Sequence, residues 1–108
     1  MVNSEFLSLQ DFNEIINNGK ISIFDFSATW CGPCRMMAPV LEEYAEKHND
    51  YLFHQVDIDD NEDLARELKI MYVPTFIVYF EGKELGRTSG YLPMEQFEEF
   101  INNSLKNK

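Results

Sequence analysis

The chain has 108 residues, is 44% hydrophobic and carries nine Phe and five Tyr, so there is room for one domain with a real core. Its formal net charge of -10 lacks the basic footprint that nucleic-acid binding needs and suits solubility. Residues 1–5 have neither a basic leader nor a long apolar stretch, and no stretch suits a membrane span, so a cytoplasmic protein without membrane association is expected.

Phe6 and Leu7 read as a short strand or a lead-in. Ser8 is a good N-cap, and Asp11 three residues on gives a capping-box pattern. Leu9, Phe12, Ile15 and Ile16 then share one helical face. Asn18-Gly19 ends that helix, since Gly19 can take the left-handed conformation. Residues 21–26 alternate with period two: Ile21, Ile23 and Asp25 on one face, Ser22, Phe24 and Phe26 on the other. Asp25 therefore sits on an apolar face, six residues before Cys31, where burial would raise its pKa. Beside a thiol pair, a buried proton acceptor is a better reading than a half-wet acid at a strand end.

Trp30-Cys31-Gly32-Pro33-Cys34 holds the only two cysteines and lies where that strand gives way to a helix over 35–48. The first turn of a helix has unpaired N–H groups and the positive end of the dipole, so a thiolate placed there is stabilised. Positions i and i+3 face each other, close enough for a disulfide to form and break. The pattern is a cycling dithiol with Cys31 as the activated member. Zinc takes about four ligands, and two scattered histidines with no further cysteine do not supply them. Pro33 suits the first turn. Pro39, inside the helix, removes the bond to the Arg35 carbonyl and predicts a kink. Cys34, Met37, Ala38, Leu41, Ala45 and His48 follow helical spacing, with His48 suited to the helix C-terminus rather than to catalysis.

Residues 52–58 read as a strand, with Leu52, His54, Val56 and Ile58 facing one way and Phe53, Gln55 and Asp57 the other. His54 reads as a packed histidine. The acidic run 59–63 lacks the glycine and spaced final Glu of a calcium loop, so it reads as a turn and a helix N-terminus. Leu64, Ala65 and Leu68 face the core from a short helix. Val73-Pro74-Thr75 precedes five apolar residues, 76–80, the pattern of a central strand buried on both faces. A tight turn at 81–84 leads to an edge strand over 85–89, broken by Gly90. Pro93 suits the first turn of a last helix whose inner stripe is Met94, Phe97, Ile101 and Leu105, with Glu95, Glu98, Glu99 and Asn102 outside. Early strands that alternate with helices should pair in parallel, and the last two, joined by a tight turn, should be antiparallel. The expected class is α/β: one domain over 1–108, a central mixed sheet of four to five strands, and four helices on its two faces.

The chain resembles the thioredoxin family. The resemblance rests on Phe24-Asp25-Phe26-Ser27-Ala28-Thr29-Trp30-Cys31-Gly32-Pro33-Cys34, then Pro39, Val73-Pro74-Thr75, Gly82 and Gly90, and covers nearly the whole chain. The Phe-Ser-Ala-Thr-Trp string is similar to eukaryotic cytosolic members; Ser27 stands where bacterial members have tryptophan. The resemblance implies the thioredoxin fold and a protein-disulfide reductase. Cys31 would be the exposed nucleophile, Cys34 the buried resolving thiol, and the two together a redox-active disulfide. Asp25 would accept the Cys34 proton, through water. Pro74 would be a cis proline facing the disulfide, and the Val73 backbone would pair with an extended substrate segment. Trp30, Gly32, Pro33, Tyr72, Val73, Gly90 and Tyr91, with Pro74 and Thr75, would form the mostly apolar docking surface for disulfide-containing proteins. Recycling by a flavin-containing, NADPH-dependent thioredoxin reductase is implied, with no bound cofactor, a monomeric state, and a part in electron transport and cell redox homeostasis. Gln55 stands where the family tends to place lysine or glutamate, which removes one charge from the Asp25 pocket. Gly32-Pro33 favours reduction over the oxidase or isomerase relatives, which carry histidine between the cysteines. A binding subunit whose grip does not need the dithiol is the alternative from another class.

Overall fold

In a computed structural model, which describes residues 6–108, the chain runs α1 (Leu9–Ile16), β1 (Ser22–Ser27), α2 (Gly32–Lys47), β2 (Leu52–Asp57), α3 (Glu62–Glu67), β3 (Thr75–Phe80), β4 (Lys83–Ser89) and α4 (Met94–Leu105). The reading of residues 1–5 as lacking a leader lies outside the described residues. Phe6 and Leu7 are a lead-in and not a strand; the Leu7 N–H donates to Asn61 Oδ1 at 2.9 Å. The capping box of α1 is present. The Asp11 N–H donates to Ser8 Oγ at 3.0 Å and the Ser8 N–H to Asp11 Oδ2 at 3.3 Å, which satisfies two donors the helix start would leave unpaired. Phe12 and Ile16 are buried under α1, whereas Leu9, expected on the same face, opens the helix and stays exposed.

The strand order is β2-β1-β3-β4. β1 and β2 pair in parallel, as alternation with a helix predicts. β3 does not follow that rule: it is antiparallel to β1, with Thr75 opposite Phe26. The chain re-enters the sheet at the end where it left. This places the start of β3 beside the end of β1, which is what builds the site. β3 and β4 are antiparallel, as the tight turn predicts.

β1 and β3 fill the middle of the sheet and divide the core between its faces. Ile21, Ile23, Phe76 and Val78 pack with Met37 and Tyr44 of α2 and with Phe97 and Ile101 of α4. Phe24, Phe26, Ile77 and Tyr79 pack with Phe12, Ile16 and Leu64 on the side of α1 and α3. Rings such as Phe24 and Phe97 have no exposed surface, and cutting one back to Ala costs about 3–5 kcal/mol. His54 stacks on Phe24 at 4.8 Å, the packed histidine expected. His48 ends α2 between the Tyr44 and Tyr51 rings, at 4.2 and 5.1 Å. α2 continues unbroken through Pro39, and Pro93 caps α4 from the position before its first turn.

Candidate active site

β1 delivers the chain to the start of α2, and the cysteines sit at that junction. α2 begins earlier than residue 35, because Gly32 and Pro33 carry no apolar periodicity yet suit a first turn. Cys31 is the N-cap, with an extended backbone, and its Sγ accepts the Cys34 N–H at 3.2 Å. That donor and the positive helix end favour negative charge on Cys31 Sγ whenever its bond to sulfur opens. Cys31 and Cys34 are joined as a disulfide, with Cα atoms 5.3 Å apart. The expected contrast in exposure is absent in this form: Cys31 and Cys34 are 5% and 6% exposed. With its sulfur bonded to Cys34, Cys31 packs into a small cluster with Ala28, and Ile58 and Val73 close over it.

Two side chains outside the motif hold the junction. Arg35 Nη1 donates to the Thr29 carbonyl at 2.9 Å, and Trp30 Nε1 donates to Asp59 Oδ2 at 2.9 Å. In the sequence Asp59 reads only as one acid of a turn. Across from the disulfide, the Val73–Pro74 peptide is cis, and the Val73 carbonyl oxygen lies 3.6 Å from Cys31 Sγ. Thr75 is buried. Its hydroxyl donates to the Tyr72 carbonyl at 2.6 Å and bonds Ser89 Oγ at 2.8 Å, so it ties the cis-proline loop to β4. The Gly90 N–H donates to the Pro74 carbonyl at 2.8 Å from a φ of +96°, where a side chain would be strained.

Around the disulfide, Trp30, Tyr72 and Tyr91 are 66%, 71% and 41% exposed. Pro33 is also exposed, Gly32, Val73 and Gly90 are half-buried, and Pro74 is buried. Met71 and Met36 are exposed too, and sequence reasoning missed both. The available signal was an apolar residue beside Tyr72 and another two positions after Cys34.

Asp25 is 3% exposed, and neither carboxylate oxygen has a hydrogen-bond partner. Loss of water around it raises its pKa from 3.8 to about 7. It pairs in register with Gln55 on β2 and Phe76 on β3. Gln55 Nε2 donates to Ser27 Oγ at 3.4 Å. Asp25 lines a small recess with Leu41, Phe53 and Gln55. Cys34 lines a second recess with Ala38, Gln55 and Asp57. Among the described residues no group of three His, Cys, Asp or Glu is placed to hold a metal.

The thioredoxin family model matches residues 3–103. The chain belongs to the thioredoxin family. It is 44% identical to a thioredoxin of Coprinus comatus, over 80% of this chain and 83% of that protein. It is 40% identical to the thioredoxin of Oryctolagus cuniculus, over 87% of this chain and 90% of that one. The oxidized form of mitochondrial thioredoxin 3 from Saccharomyces cerevisiae superimposes with a TM-score of 0.84 at 30% identity, covering 94% of each chain. The four-stranded mixed sheet with four helices is the thioredoxin fold. The activity is that of the family: the protein is a disulfide reductase that works by thiol–disulfide exchange through its cysteine pair. Thioredoxins act on disulfide substrates, are themselves reduced by thioredoxin reductase, and need no cofactor in general.

Proposed function

We propose that Cys31 is the attacking thiolate and Cys34 the resolving thiol, in a chain that works as one domain over 1–108 and binds no cofactor of its own. Cys31 attacks a sulfur of the substrate disulfide and forms a mixed disulfide, and one substrate sulfur leaves as thiolate. Asp25 takes the Cys34 proton. The Cys34 thiolate then attacks Cys31, the second substrate sulfur leaves, and Cys31–Cys34 is oxidised. The observation that carries this order is the Cys34 N–H on Cys31 Sγ at the head of α2. The substrate lies across Trp30, Gly32, Pro33, Tyr72, Val73, Gly90 and Tyr91, pairing with the Val73 backbone beside Pro74, with Met71 and Met36 extending the apolar surface. Thr75 supports that surface from beneath.

An NADPH-dependent thioredoxin reductase recycles the pair, and the protein acts as a monomeric electron carrier in the cytoplasm, within cell redox homeostasis. Gly32-Pro33 supports the reducing direction. Trapping decides the order of attack. Cys31→Ser is expected to abolish insulin reduction driven by NADPH and the reductase, and Cys34→Ser to accumulate covalent mixed disulfides that dithiothreitol releases. The same adducts on Cys31→Ser instead would reverse the assignment.

A further inference from the structure

The segment 69–74 joins α3 to β3 and carries Met71, Tyr72, Val73 and Pro74. Met71 and Tyr72 are 80% and 71% exposed, so packing does little to hold its middle. Backbone bonds from one strand hold it instead. The Gly90 N–H takes the Pro74 carbonyl at 2.8 Å, Ser89 reaches the Tyr72 carbonyl through the Thr75 hydroxyl, and Arg87 Nη1 donates to the Leu68 carbonyl at 2.8 Å. We propose that Arg87 is a positioning residue for protein substrates: its guanidinium, squared by Glu84, fixes where the docking segment leaves α3 and so where the Val73 backbone meets an extended chain. The inference rests on the docking surface given above.

The end of α3 makes that carbonyl the point to hold. The Lys69 N–H donates to the Arg66 carbonyl at 3.1 Å and the Ile70 N–H to the Ala65 carbonyl at 2.9 Å, a Schellman ending with Lys69 at a φ of +57°. A side chain there is disfavoured, so the exit needs support from outside the helix. The Leu68 carbonyl lies beyond the helix's own bonds, at the negative end of the dipole, where a cation is favoured. Arg87 is aimed at it. Its Nε and Nη2 donate to Glu84 Oε2 and Oε1 at 2.9 and 2.8 Å, a two-pronged pair that fixes the plane of the guanidinium and leaves Nη1 for the carbonyl. In a regular strand, residues three apart face opposite ways. β4 has a bulge: Val78 pairs with Gly86 but Tyr79 with Glu84. The extra residue turns Glu84 onto the face of Arg87, opposite Tyr79 and Ile77, on the side of α1 and α3. An exposed ion pair alone is worth little; the bond to the backbone gives this one a role.

The test compares two oxidants of the reduced protein by rapid acid quench and thiol alkylation. Insulin presents a peptide backbone to Val73; 2-hydroxyethyl disulfide presents none. Arg87→Ala is expected to lower the second-order rate with insulin about tenfold, the loss of one charge-assisted hydrogen bond, and to keep the rate with 2-hydroxyethyl disulfide. Amide hydrogen exchange at 69–72 should quicken while that of β1 stays as it is. Arg87→Lys still reaches the carbonyl and is expected to restore the insulin rate to within about threefold. A wild-type insulin rate in Arg87→Ala overturns the proposal, and so does an equal loss with both oxidants, which would mark general damage to the fold. If Arg87→Ala fails to fold, Glu84→Ala frees the guanidinium, and an unchanged ratio of the two rates overturns the proposal instead. Tyr72→Ala separates the two readings. An unslowed insulin reaction there faults the docking surface itself, whereas slowing there beside a wild-type rate in Arg87→Ala faults only the role of Arg87.

Discussion

Asp25 and Tyr79 are equally buried, at 3% exposure each, and lie on opposite faces of the sheet. Neither the Asp25 carboxylate nor the Tyr79 hydroxyl has a hydrogen-bond partner. Burial pushes both pKa values up. The consequences differ because the starting points differ. A tyrosine begins near 10 and moves further from neutrality, so its hydroxyl stays uncharged and inert at every physiological pH. A carboxyl begins at 3.8 and arrives at about 7, where it can take and release a proton. The same desolvation leaves an inert hydroxyl on the α1 and α3 side and a carboxyl that titrates near neutrality on the α2 side. What makes the difference is the residue type and the neighbouring recess, since Tyr79 is walled by the Phe12 and Phe24 rings.

The comparison can be broken most directly through stability. Below pH 3.8 Asp25 is protonated folded and unfolded, and contributes no pH dependence. Between 3.8 and about 7 the unfolded chain ionises while the folded one keeps its proton, so stability falls as pH rises, and it levels off above about 7. At about 1.4 kcal/mol per tenfold in proton affinity, the loss is on the order of 4 kcal/mol. Urea unfolding of the wild type and Asp25→Asn from pH 4 to 9 is expected to show the gap between them shifting in the variant's favour across that window and then running flat. Parallel curves would remove Asp25 from the titrating groups.

The same variant sharpens the comparison on the kinetic side. Asp25→Asn keeps shape and removes the proposed proton acceptor, so resolution of the mixed disulfide at pH 7 is expected to slow about 100-fold, the lower end for a general base. The attack by Cys31 should keep its rate. Single-turnover stopped flow reads both steps, and an unslowed resolution would leave Asp25 as a buried acid with no part in the exchange.

How far these features were legible depends on how local they are. The capping box at Ser8 and Asp11, the period of residues 21–26 and the five apolar residues before Glu81 are written in neighbouring positions, and each appears as expected. The cysteine pair and Asp25 are likewise a short-range pattern on one strand and one helix start. The direction of β3 was not legible from alternation, because it turns on the end at which the chain re-enters the sheet. The bonds of the Thr75 hydroxyl to Tyr72 and Ser89 were not legible either, because they form only when the cis-proline loop is folded beside β4. Asp59 and Arg35 acquire their roles only when the turn at Trp30 is folded beside them. Gln55 shows its place between the two recesses only once register sets β2 against β1.

The smallest expected effect is also the strictest control. Tyr79→Phe removes one buried hydroxyl that has no partner and changes no ring contact with Phe12 or Phe24. Deleting an unpaired polar group from an apolar site removes its desolvation penalty, so the variant should be more stable by about 1 kcal/mol. Because the tyrosine is neutral throughout, that gain should be constant from pH 5 to 9, in contrast to the pH-dependent gain of Asp25→Asn. Both steps of disulfide exchange should keep wild-type rates, since β3 carries Tyr79 on the face away from α2. Urea unfolding measures the first and stopped flow the second. A loss of stability would mean that the hydroxyl has a partner in solution, and the two buried groups would then differ in hydrogen bonding rather than in where their pKa values begin.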